Sequence, residues 1–176
     1  MKRIFSLLAL LTISAPILAQ SYDNAICPLD LPISLSGTYG ELRHNHFHAG
    51  VDFRTGGQIG FAVHAIKDGY ISKVSVSPTG YGNGVYITHY DGTMSVYGHL
   101  SSFTPEIAQR VLREQYSNES FSVIINFSED EFPVKQGDVI GKSGNTGSSA
   151  GPHLHMEIRE EDGNLPTNYL ARGVYS

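Results

Sequence analysis

The chain carries a single cysteine, Cys27, among 176 residues. A lone thiol excludes an internal disulfide, and its place in a loop-rich leader makes an incidental role the simplest reading. Positive charge is also scarce. Twelve Lys and Arg face 17 Asp and Glu, for a net charge of −5 at pH 7. Without a basic cluster, nucleic acid is not the expected partner. Long apolar runs are missing as well. The run from Ile4 to Ile13 is too short for a membrane span. It follows Lys2 and Arg3 and precedes the small Ala19, the layout of a secretory signal peptide over 1–19. The expectation is therefore an exported protein, periplasmic or at the cell surface, with no membrane span once the signal is removed. Loss of Lys2 and Arg3 leaves a net charge of about −7.

Glycine, by contrast, is plentiful, at 19 residues. From Gly37 onward, short strand-like runs alternate with glycine turns. Asp68-Gly69 separates Phe61–Ile66 from Tyr70–Val76, and Asp91-Gly92 separates Val85–Tyr90 from Thr93–Leu100. Both pairs suit two-residue hairpin turns, whose first positions need positive φ. Asp162-Gly163 follows the last strand in the same way. The pattern predicts an all-β domain over 37–172, after a loop-rich leader at 20–36. Segments Ala65–Ile71 and Val134–Ile140 each resemble part of a biotinyl-like half-barrel. No Met-Lys-Met accompanies either, which excludes a swinging-arm carrier.

One block, 101–133, departs from this pattern. Thr104 suits an N-cap, Pro105 the first helical position, and Glu106 the positive end of the helix dipole. Ile107, Ala108, Val111, Leu112 and Tyr116 follow at helical spacing, predicting one helix over 105–116. Ser120–Phe127 reads as a strand. The block is an insertion, either a lid or groove wall, or a packed decoration.

Candidate chemistry lies in two distant segments, His48-Ala49-Gly50-Val51-Asp52 and Gly151-Pro152-His153-Leu154-His155. Each is weak alone, since with 8 His in the chain chance yields an H-x-x-x-D match about 0.4 times. Context strengthens both. Gly, Val and Phe around His48 favour a strand, which puts His48, Gly50 and Asp52 on one face. The second segment alternates, with His153, His155, Glu157 and Arg159 on one face and Leu154, Met156 and Ile158 toward a core. Together they offer three zinc ligands and a spare imidazole. Three protein ligands leave one metal position open for water, the mark of a catalytic rather than a structural site. His44, His46 and His48 also alternate and can share a face. His46 is read as groove lining or support for a ligand rather than a ligand. His64 and His89 have no partner motif and read as structural.

Four ordered motifs carry a resemblance. They are His48-Ala-Gly-Val-Asp52, Tyr97-Gly98-His99-Leu100, Gly137-Asp138-Val139-Ile140-Gly141, and Ser143-Gly144-Asn145-Thr146-Gly147 leading to Gly151-Pro152-His153-Leu154-His155. From about Gly37 to Glu160 the chain resembles the lysostaphin-type (LytM-like) zinc metalloendopeptidases, which cut peptidoglycan peptides. The resemblance implies antiparallel sheets of barrel-sandwich-hybrid (duplicated hybrid motif) character. It implies one zinc ion per chain, held by His48, Asp52 and His155. His99 and His153 match the family's other active-site histidines, as general base and as donor to the tetrahedral intermediate, in an order left open. Zinc lowers the pKa of water to about 7, and the oxyanion formed by attack on a carbonyl needs a nearby donor.

Peptidoglycan peptides are the implied partners. Family targets include glycine bridges and direct D-alanyl cross-links to a diamino acid, and the second is the preferred expectation. Glycines of 141–151 are candidates for a groove loop whose amides hold an extended peptide. Tyr81 and Tyr97 are candidate groove residues. The alternative is a non-catalytic wall-binding regulator of other hydrolases. Such relatives lose zinc ligands, whereas all five positions are filled here.

Overall fold

A computed structural model describes residues 25–160 and 166–168. The expected signal segment and the Asp162-Gly163 turn lie outside the described residues. In chain order the elements are β1 (Leu35–Gly37), β2 (Val51–Arg54), β3 (Ala62–His64), β4 (Gly69–Val76), β5 (Gly84–His89) and β6 (Met94–Gly98). They continue with β7 (Ser102–Phe103), α1 (Pro105–Ser117), β8 (Val123–Asn126), β9 (Pro133–Val134), β10 (Val139–Lys142), β11 (His153–Arg159) and β12 (Pro166–Thr167). The larger sheet runs β1-β2-β11-β6-β5-β4-β8, with β12 on β11 and β9 on β4. A smaller sheet runs β3-β10-β7. Pairing is antiparallel in both sheets, and neither closes into a barrel.

Alternation builds the core. Leu154, Met156 and Ile158 of β11 are buried with Val51 and Phe53 of β2, Val63 of β3 and Ile140 of β10. The opposite face of β11 carries His153, His155 and Glu157, so one strand supplies both core and site. Gly50 sets the approach of β2 to this strand. A Cβ there would lie 2.2 Å from the Met156 carbonyl oxygen, so a side chain would force the two segments apart. Residues 25–36, expected as a leader, also pack in. Leu29 is buried in the core, Ile26 and His64 bond across this segment through their backbone N–H groups, and β1 joins the sheet edge.

Three local expectations are corrected. First, Asp68-Gly69 does not join a hairpin, because β3 pairs with β10 and β4 with β5. The chain crosses between the sheets there, burying Ala65 and Ile66 on the way. Asp68 instead accepts from Lys135 Nζ and the Gln136 amide. Second, the β5–β6 hairpin does form, but its loop is the three residues 90–92. His89 N–H bonds to the Thr93 carbonyl, and Gly92 takes the left-handed position at φ 84°. Third, His48 and Gly50 precede β2, which starts at Val51. The alternation of His44, His46 and His48 is broken by a turn closed by a Leu42–Phe47 bridge.

Helix α1 starts as expected, with Pro105 at its first turn, although the Thr104 side chain makes no capping bond. Its apolar stripe is narrower than the spacing suggested. Ile107 and Val111 are buried, whereas Leu112 is 52% exposed and Tyr116 78% exposed. Leu112 lies about 100° round the helix from Val111, beyond the face that meets β7 and β8. Accordingly, Ile107→Ala should lower stability by about 2–4 kcal/mol, and Leu112→Ser by no more than about 0.5 kcal/mol. Denaturation midpoints of the two variants check this, and equal losses would mean that the helix packs through a different face.

Candidate metal centre and groove

Strand pairing brings the two motifs together. In the β2–β11 ladder Asp52 lies opposite His155, and in the β6–β11 ladder Gly98 lies opposite His155, which delivers the adjacent His99. His48 enters from the loop before β2. His48 Nε2, Asp52 Oδ1 and His155 Nδ1 then stand 2.9–3.1 Å from one another, all three residues buried. His153 Nε2 lies 3.4 Å from Asp52 Oδ1. The His99 and His153 rings are 4.7 Å apart between centroids. All five residues singled out in the sequence therefore converge.

Their hydrogen bonds fix the imidazoles. His48 Nδ1 donates to the Thr38 carbonyl at 2.9 Å, and His155 Nε2 to Glu157 Oε1 at 3.0 Å. His99 Nδ1 donates to the Thr146 carbonyl and His153 Nδ1 to the Gly151 carbonyl, each at 2.8 Å. A carbonyl or an ionised carboxylate only accepts, so each of these ring nitrogens carries the proton. In the neutral imidazole the other nitrogen is then a bare lone pair.

This arrangement fits a divalent cation. Two imidazole lone pairs and a carboxylate oxygen facing one another at about 3 Å repel unless positive charge lies among them. Ligand atoms held at 2.0–2.2 Å around a tetrahedral ion lie about 3.3–3.6 Å apart, so a few tenths of an ångström of outward movement would seat one here. The electrostatics agree. A proton can supply that charge where a metal does not: burial opposes ionisation of Asp52, but the His153, His155 and His48 rings, when they carry a proton toward it, outweigh burial and hold the carboxyl far below the usual range. Burial disfavours charge on His155, yet the bonds to Asp52 and Glu157 raise its pKa. The set of two His nitrogens and one carboxylate suits zinc, with support for each ligand from behind.

That support extends outward. Arg43 Nη2 donates to Asp52 Oδ2 at 2.8 Å. Glu157 is fully buried; its Oε2 accepts from Arg159 at 2.7 Å, and its Oε1 accepts from Tyr81 Oη. Burial raises the Glu157 pKa, but His155, Tyr81 and Arg159 together bring it down to about 2. His99 is different. Burial, with His153 and His155 nearby, takes its pKa down to about 4, against the pull of the Thr146 carbonyl. It is neutral at pH 7.

Glu157 gives a direct test. Glu157→Ala takes the carboxylate from the half-buried Arg159, which keeps its bond to Tyr81 Oη, and frees the His155 ring, so stability should fall by about 1–3 kcal/mol. In Glu157→Gln the carboxamide oxygen still accepts from His155, and zinc affinity should fall only about 10- to 100-fold. Thermal melts and zinc titration of the two variants check this. Full zinc affinity in Glu157→Ala would show that Glu157 does not hold the ligand.

A groove of about 1010 Å³ opens over the centre, lined by residues from 36–57, by Gly80 and Tyr81, and by 148–153. His44 and His46 line it but stand outside the ligand cluster. Ser148 to Pro152 line it; of the glycines expected there, Gly151 does, whereas Gly141, Gly144 and Gly147 do not. One other expectation is corrected, for Tyr97, and one open alternative is decided, for block 101–133. Tyr97 is wholly buried, accepting from the Ile66 amide and Ser95 Oγ, and belongs to the core. Block 101–133 lines no part of the groove among the described residues. It packs at the far edge, where β8 extends the sheet beyond β4.

His64 and His89 also stand apart from the centre. His64 pairs with Asp30 at 2.9 Å, and His89 bonds to the Asp68 carbonyl and Ser95 Oγ. Of the supporting groups, Glu157 was legible two residues beyond His155 on the alternating strand. Arg43 and the Thr38, Thr146 and Gly151 carbonyls carried no sequence signal, because main-chain acceptors are placed by the fold alone.

Comparison with known proteins gives a consistent picture. The model of the family described as Peptidase family M23 matches residues 46–117 and 118–167. Over 112 residues, 64% of this chain, the sequence is 36% identical to the DD-carboxypeptidase/endopeptidase Mpg of Neisseria meningitidis serogroup B. The match spans only 20% of that relative's length. The catalytic domain of the antimicrobial peptidase lysostaphin from Staphylococcus simulans superposes with a TM-score of 0.58 and 27% identity, covering 79% of this chain and 90% of that one. The SpoIIQ–SpoIIIAH pore-forming complex contains a chain that matches at a TM-score of 0.60 and 25% identity, over 84% of this chain and 89% of its own.

Proposed function

Because the chain belongs to peptidase family M23, we propose that it is an exported zinc metalloendopeptidase that hydrolyses peptide bonds in peptidoglycan cross-links. The observation that carries this reading is the convergence of His48 Nε2, Asp52 Oδ1 and His155 Nδ1 within 3.1 Å of one another, each imidazole held from behind. These three residues would hold one zinc ion per chain, whose Lewis acidity makes water a nucleophile near neutral pH. His99 and His153 are each held through Nδ1, which leaves Nε2 for chemistry; that of His153 faces Asp52 Oδ1 at 3.4 Å. Each can take a proton from water or give one to the leaving amine, and a neutral imidazole at pH 7 suits the first task. Whichever imidazole has taken a proton from water can donate it to the developing oxyanion. The groove wall of Ser148 to Pro152 positions an extended peptide across the ligands.

Peptidoglycan as substrate is supported by the names of the relatives, and export by the reading of residues 1–19. Among the described residues no helix is long and apolar enough to cross a membrane. A second reading, a non-catalytic wall-associated module, draws on the likeness to a chain of a pore-forming complex. Digestion of purified peptidoglycan by the zinc-loaded protein, with mass analysis of released peptides, separates the two. Release of peptides cut at a cross-link supports the peptidase. Stoichiometric zinc without any cleavage overturns it in favour of the module.

A further inference from the structure

The groove has a charge that the whole chain does not. The chain is net negative, at −5, yet both carboxylates lining the groove are already engaged. Asp52 faces three histidines and Arg43, and Glu157 is buried against Arg159. Arg43 is likewise engaged, by Asp52 and Glu41. Arg54 is not. Its Nε donates to the Leu35 carbonyl at 2.9 Å, while its terminal amino groups meet no acceptor among the described residues. It lies exposed at the end of β2 and lines the groove.

The register places this charge with respect to the chemistry. Alternation puts Arg54 on the same strand face as Asp52, about 7 Å along the strand. In the ladder it stands directly opposite His153. The following Gly56 and Gly57 also line the groove, and a Cβ on either would meet nothing within 4 Å, so neither glycine closes this end of it. In about 7 Å an extended peptide advances two residues at most. With the reach of an arginine side chain added, a substrate group that meets Arg54 belongs to one of the two residues of the scissile bond or to a near neighbour.

We propose that Arg54 is a specificity-determining residue that binds a carboxylate carried by the residue supplying the scissile amine. The proposal rests on the peptidase reading and narrows its substrate class. Two kinds of bond present such a group. In a D-alanyl bond to a diamino dicarboxylic acid, the carbon that bears the acylated amine also bears a carboxylate. In a chain ending D-Ala-D-Ala, the last residue carries the terminal carboxylate. A bond inside a glycine bridge offers an amide in its place and leaves the guanidinium without a charged partner. A fork of N–H donors matches a carboxylate in two bonds, which a single ammonium does not.

Two pairs of synthetic peptides test this. One pair is branched at a D-alanyl–diamino dicarboxylic bond and the other ends in D-Ala-D-Ala. Each pair differs only in that carboxyl, free or amidated. Cleavage by the zinc-loaded protein and binding by calorimetry are measured for the native chain, Arg54→Gln and Arg54→Lys. The native chain should favour the free carboxylate in at least one pair by roughly 10- to 100-fold. The pair that shows the preference identifies the source. Arg54→Gln should erase the preference, mainly through KM, with amidated peptides and zinc content little changed. Arg54→Lys should restore part of it. Equal binding and cleavage of free and amidated peptides by the native chain overturns the proposal, as does a full preference retained in Arg54→Gln. Carboxylate-selective binding lost in Arg54→Gln, with no cleavage of any peptide, upholds Arg54 while sinking the peptidase reading.

Discussion

Replacing Asp52 with alanine is expected to remove zinc and hydrolysis together. Asp52 is the only carboxylate in the ligand triad, and it sits within 2.9–3.4 Å of three imidazole nitrogens. Without it, two neutral nitrogens face a divalent ion with no formal negative charge to balance it. Two ligands also leave the ion with too few protein contacts for a catalytic site, which uses three. Activity should fall by about 10³-fold or more, because the Lewis acid that activates water is lost. Chelation of the native protein should produce the same loss. Zinc should restore the chelated native protein and leave Asp52→Ala inactive. The fold should survive, since the core under the site is built by the opposite face of β2 and β11, from Phe53, Leu154 and Met156. Metal analysis after dialysis, a thermal melt and a peptidoglycan digest read the three quantities. Tight, stoichiometric zinc in this variant would remove Asp52 from the ligand set.

Much of this centre could be read from the chain, and the reasons differ by residue. His153, His155 and Glu157 sit on a strand with strict alternation, where period 2 fixes the face from sequence. The helix was legible from Pro105 and the spacing of Ile107 and Val111. Its exposed Leu112 was not, because the face that packs is chosen by β7 and β8, which lie elsewhere in the chain. The hairpin expected at Asp68-Gly69 failed for a related reason. A local turn signal gives no account of which sheet each flanking run joins, and here Gly141 and Lys142 of β10 take β3 as partner instead. His48 was assigned to a strand yet lies before it; the ligand survives because Gly50 lets the loop close onto Met156. The carbonyl acceptors that set the tautomers are main-chain atoms, which no residue type announces.

His99 and His153 should behave differently from the ligands. Both lie outside the ligand triad, and both are held through Nδ1 by carbonyls of the 144–151 loop. His153→Ala should therefore retain zinc and lose about 10²- to 10⁴-fold in rate, the range for a positioned acid or base. His99 needs a more careful substitution. Its backbone sits at φ 61°, a left-handed conformation that alanine resists and asparagine tolerates. Asparagine at this position keeps that turn and a short polar side chain while removing the imidazole, so any loss reflects chemistry rather than a displaced loop. His99→Asn should also keep zinc and fall within the same range. If the two histidines share one proton-transfer task, the double variant should lose little more than the worse single one. If they act at separate steps, the losses should multiply. Zinc stoichiometry and single-turnover rates on a defined cross-link peptide decide between these outcomes. Loss of zinc from either variant as complete as in Asp52→Ala would make that histidine a ligand and redistribute the roles at the centre.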